Sequence, residues 1–199
     1  MAGRDDEKDR DPRRSPRRGS GKPPSGPGRR PGGGRPGGTP ARRRGGLGLA
    51  RIGGADFELV HPRCVREMEL DYEEGIELWK AGDTEAARDA LRYALQGCGD
   101  NLWVHVALGR IALEDNDPAL ARGHFGYAFE LAQRALPPGF SGRLPHQRPA
   151  NRPFFDAIEG LAASYDALGQ PAESEPLRRL AADLSGARPR GGPPPGPRP

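Results

Sequence analysis

Residues 75–95 read GIELWKAGDTEAARDALRYAL, and the chain then repeats the pattern. Gly75 and Gly109 stand 34 residues apart, and Leu78, Ala87, Leu91 and Ala94 fall on Ala112, Ala121, Phe125 and Ala128. After an interruption, Ala162, Tyr165, Ser174, Arg178 and Ala181 take the same five places. A fixed period of this size marks helical hairpins that stack. One hairpin cannot bury its apolar face alone, so neighbours share an elongated core.

Working outward, the same punctuation recurs. Gly82 stands where a chain turns left-handed to leave a helix, and Asp83 can cap the next one. Asn101 caps the following helix, Asn116 and Asp117 repeat the turn and cap, and Pro118 takes a first helical place. Pro153, Gly169 and Pro171 play those roles a third time. Before the repeats, His61-Pro62 opens a helix expected to run to about Ala81, with proline where its missing N–H costs nothing. Matching stops and starts predict six helices in three hairpins.

These residues and their spacing resemble the tetratricopeptide repeat over roughly Met68 to Leu184. The resemblance implies an all-α fold, a short α-solenoid of three stacked hairpins at about 68–100, 101–136 and 153–185. Small residues would sit where the helices of a hairpin touch: Gly75, Ala87 and Ala94, then Gly109, Ala121 and Ala128. Ser174 and Arg178 depart from that pattern and mark the third hairpin as a terminal repeat. It further implies a groove, lined by the first helix of each hairpin, that holds a partner's peptide or helix. The lining places carry Tyr72, Ile76, Trp79 and Lys80; then Trp103, Val106, Arg110, Leu113 and Glu114; then Asp156, Glu159 and Asp166. Both tryptophans fall here, and Trp, Tyr and Arg are the types most enriched at binding hot spots. Family members that clamp a carboxylate terminus hold Lys and Asn where Tyr72 and Ile76 stand, so a mixed apolar ligand is implied instead. The competing reading makes Val65, Met68, Tyr72, Ile76 and Trp79 a core stripe covered by the chain's own residues 55–61.

Charge divides the 199 residues. Residues 1–54 hold 15 Lys or Arg against 5 Asp or Glu, a net of +10, whereas residues 55–184 hold 13 against 22, a net of −9. The basic pI therefore belongs to the ends. Residues 1–54 and 186–199 are Gly, Pro and Arg-rich, too poor in apolar side chains to offset ordering entropy, and are expected to be disordered around a folded part at 55–185. The arm suits weak, non-specific attraction to nucleic acid or another polyanion, but it has no aromatic residues for base stacking. Residues 137–152, rich in proline, form an inserted loop that Phe140 or Phe154 anchors on the core. Residues 55–61 are expected to lie extended along the first helix.

Cys64 and Cys98 give no framework of bridges and read as buried, idle thiols. No 18-residue apolar run is present, so no membrane role is expected and the cytoplasm is the expected compartment. His61, His105, His124 and His146 are scattered without metal-ligand spacing, and His105 reads as a packed histidine. GGGRPGG has no strand before it and no helix after it, so it is not a phosphate loop. No catalytic set, metal or cofactor is expected. The sequence reads as an interaction scaffold for a protein or peptide partner, with polyanion association through the arm as the alternative. Self-assembly through an end face near Leu177 and Leu180 is a further one.

Overall fold

The structure is a computed structural model and describes residues 46–186. Readings that concern residues 1–45 and 187–199, the polyanion-binding arm above all, lie outside the described residues.

Three helical hairpins follow one another: α2 (Glu69–Lys80) with α3 (Thr84–Gly97), α4 (Leu102–Glu114) with α5 (Pro118–Ala135), and α6 (Arg152–Ala167) with α7 (Pro171–Ser185). Their turns are built alike. Gly82, Asn116 and Gly169 adopt φ of 86°, 60° and 71°, the left-handed region, which an L side chain enters only at a cost. The next residue in each case, Asp83, Asp117 or Gln170, donates its N–H back to the carbonyl of Leu78, Ala112 or Tyr165. This closes the ended helix by satisfying a carbonyl its own turns leave open. Asp83, Asn101 and Asp117 then accept from Ala86, Val104 and Leu120 N–H to open α3, α4 and α5.

The first helix does not run unbroken to Ala81. It splits at Met68, so seven helices are described, with the short α1 (Arg63–Glu67) ahead of α2. Pro62 caps α1 from outside rather than sitting in its first turn.

Two apolar clusters fill the stack. Ala87, Leu91 and Ala94 of α3 meet Val104, Ala107, Leu108 and Ile111 of α4. A larger cluster runs from α4 through α7 and centres on Phe125 and Phe154. Phe125 replaces the Leu91 of the first hairpin, and glycines make room for its ring. A Cβ at Gly109 would come within 2.8 Å of it, and one at Gly160 closer still. Gly160 therefore lets α6 approach α5, just as Gly109 lets α4 do so.

Residues 46–54 are not disordered. β1 (Gly48–Gly53) pairs antiparallel with β2 (Asp56–Val60), and Leu47 and Leu49 pack on the larger cluster. Nor do residues 55–61 lie along the first helix. Leu59 is buried with Leu102, Val106 and Phe154, over the later hairpins. Loop 137–151 runs beside β2: Phe57 N–H donates to Arg143 O at 2.8 Å, and Arg143 N–H to Ala55 O at 2.7 Å. Leu144 N–H donates to Leu184 O of α7. Phe140 meets Phe57 edge-on with centroids 5.2 Å apart. Asn151, fully buried, joins these pieces: its Oδ1 accepts from Leu59 N–H, and its Nδ2 donates to Phe57 O and Pro145 O.

The cysteines are not idle thiols. Cys64 of α1 and Cys98 at the end of α3 form a disulfide across a Cα separation of 5.3 Å. Among the described residues no helix is long and apolar enough to cross a membrane.

Candidate partner-binding groove

The first helices of the three hairpins are linked in a row by polar bonds. Trp79 Nε1 of α2 donates to Glu114 Oε2 of α4 at 2.7 Å. Arg110 of α4 pairs with Asp156 of α6 at 3.1 Å. Tyr72 of α2 lies near enough to feel both charges: burial raises its phenol above the ordinary value, Arg110 lowers it and Asp156 raises it. Five of the sequence-selected residues thus come together: Tyr72, Trp79, Arg110, Glu114 and Asp156. Their bonds join α2 to α4 and α4 to α6, so they form one continuous polar face.

The others are placed differently. Val106 is only 4% exposed and belongs to the larger apolar cluster. Ile76 is half-buried against the cluster of α3 and α4. Lys80 is exposed and bonds Glu77 on its own helix, which raises its ammonium above the ordinary range. Glu159 is exposed on α6. Asp166 turns to α7, where it accepts from Ser174 at 2.5 Å and pairs with Arg178; the Ser174 bond, then Arg178, lowers its carboxyl.

Trp103, half-buried at the start of α4, packs in neither apolar cluster. His61 covers it from the end of β2, with ring centroids 4.0 Å apart. Trp103 and Tyr72 then line a pocket of about 610 Å³ together with His61, Pro62, Val65 and Asn101. Its charged residues are Arg63 and Arg66 of α1 and Glu69 and Glu73 of α2. The chain's own 55–61 segment thus meets Trp103 through His61, while its Leu59 is buried in one cluster with Val106. His61 Nε2 bonds Ala150 O at 2.7 Å, which leaves Nδ1 enclosed without a partner among the described residues. Burial lowers the pKa of this imidazole, so the neutral ring is favoured.

Sequence reasoning named Tyr72 and Trp103 at this end of the site but not Glu69, Glu73 or the residues of α1. Glu69 stands 34 residues before Trp103, the repeat spacing, so the period itself pointed to it. Cys64 of α1 stands at the same spacing before Cys98, whereas no such signal marks His61, which reaches the pocket from the strand end.

No family model matches the chain, and no curated protein matches it. Among solved structures it is similar to the N-terminal domain of stress-induced protein-1 (STI-1) from C. elegans. The identity is 10% and the TM-score 0.49, over 62% of this chain and 88% of that one. Among the described residues no three His, Cys, Asp or Glu side chains gather to hold a metal ion.

Proposed function

We propose that this chain is a protein-interaction module that holds a partner's peptide or helix along α2, α4 and α6. The observation that carries this reading is the row itself. Trp79–Glu114 and Arg110–Asp156 tie three first helices into one face, and an aromatic pocket at Tyr72 and Trp103 lies at its α1 end. Such a face offers what recognition of a helix or extended peptide uses: an apolar anchor site with polar groups around it that fix register. The pocket is large enough for an aromatic or long aliphatic side chain. Its two Arg and two Glu suit a ligand of mixed charge. This reading assigns the chain no reaction of its own.

The test is a photo-crosslinking residue placed, in the native cell, at Glu159 on the face or at Tyr127 on α5. Both positions are exposed. Partner adducts are expected from position 159 and not from 127. Adducts from 127 alone would place the contact on the second helices and overturn the reading.

A further inference from the structure

α1 is anchored at its two flanks, by buried Pro62 and by Met68 on the smaller cluster, and between them by one covalent bond. It is five residues long, buries no side chain, and makes its backbone bonds locally, Val65 N–H to Pro62 O and Met68 N–H to Cys64 O. Cys98, by contrast, is buried at the end of α3, directly before α4. The two cysteines stand 34 residues apart, the repeat spacing itself. One repeat later, α1 falls on residues 97–101, the end of α3 and its link to α4. It is helical where that later link is not, and it buries no side chain. The bridge from Cys64 to the buried Cys98 ties it to the end of α3.

The position matters because α1 is a wall of the pocket. Arg63, Val65 and Arg66 lie on it, opposite Tyr72 of α2 and Trp103 of α4. We propose that the Cys64–Cys98 disulfide is a redox gate that holds this wall closed and releases it on reduction. A dithiol reductant supplies the chemistry. One of its thiolates attacks a Cys sulfur and forms a mixed disulfide while the other Cys leaves as thiolate. The second thiol of the reductant then displaces the first Cys. The protein gains two electrons and two protons as two thiols, and the reductant becomes a disulfide. With the bond gone, α1 is free to move between its anchors at Pro62 and Met68. The α1 side of the pocket that holds Trp103 and Tyr72 then opens while the hairpins stay folded, as expected for a segment with few buried contacts. That the gate controls partner binding rests on the groove reading above; that it controls access to Trp103 does not.

The test uses the full chain carrying Trp79→Phe, so that Trp103 is the sole tryptophan, and follows quenching of its fluorescence by acrylamide. On dithiothreitol, two thiols should become titratable, helical circular dichroism should hold, and the quenching constant should rise by about twofold as a half-covered ring opens. Cys98→Ser should quench like the reduced form and ignore dithiothreitol. Equal quenching before and after titrated reduction would overturn the gate, and so would loss of helicity on reduction, which would make the bridge a structural staple. A redox-responsive Trp103 in a chain whose Glu159 crosslinker captures nothing would instead sink the groove reading and leave the gate standing.

Discussion

His105 and His124 meet across α4 and α5 with their Nδ1 atoms 3.5 Å apart, and they make this contact sensitive to acid. Burial lowers both imidazoles, His124 to about 4, where the neighbouring His105 and Arg92 add to burial. Around His105, the Gly99 carbonyl and Asp100 push the other way, and Tyr127 stacks beside it. An unfolded chain takes up the His124 proton near the ordinary 6.5, whereas the fold resists it until about 4, and His105 shifts in the same direction. Stability is therefore complete above 6.5 and is lost as pH falls towards 4, since the unfolded state binds more protons there. Replacing His124 with Gln should make the melting temperature fall less steeply over that window, leaving the smaller dependence of His61 and His105. An equally steep fall in the variant would contradict the assignment. At this scale the sequence was legible wherever neighbours along the helix set the environment. Val104, Val106 and Leu108 marked His105 as a packed histidine, and it is one. That His124 faces it was not legible, because the angle at which two helices cross decides that pairing.

Among the elements, α2 to α7 were legible because their ends are local chemistry. Asp83, Asn101 and Asp117 cap from within three residues, and Gly82, Asn116 and Gly169 turn at fixed offsets. β1 was not legible. Its Leu49 sits in a stretch whose average composition is that of the Arg and Gly-rich arm, and it packs on a cluster drawn from β2, the inserted loop and α4 to α7. The disulfide was not read either, although its two cysteines stand at the 34-residue repeat spacing. Asn151 joins the β-hairpin to the inserted loop through three bonds from one buried side chain. Asn151→Ala would leave the Leu59 N–H and the Phe57 and Pro145 carbonyls buried without their partner, at a cost of about 3 kcal/mol. Urea unfolding should show the midpoint shift, and an unmoved midpoint would mean that loop and hairpin are not joined through this residue.

For the molecule as a whole, three first helices share one polar face, and one end of that face opens into an aromatic pocket. The resemblance to the tetratricopeptide repeat implied that Tyr72, Trp79, Arg110 and Glu114 share one face of the first helices. The pocket itself was not legible, since α1 and the end of β2 build part of it from outside the repeats. Trp103 separates recognition from packing because it lies in the pocket yet in neither apolar cluster. The most direct measurement is the affinity of a crosslinked and identified partner for the double variant Trp103→Ala/Arg110→Ala, beside its thermal melt. The face as a binding site predicts a melt close to that of the parent chain and binding weakened some thirtyfold or more, about 2 kcal/mol. A double variant that melts normally and binds the same partner undiminished would contradict it.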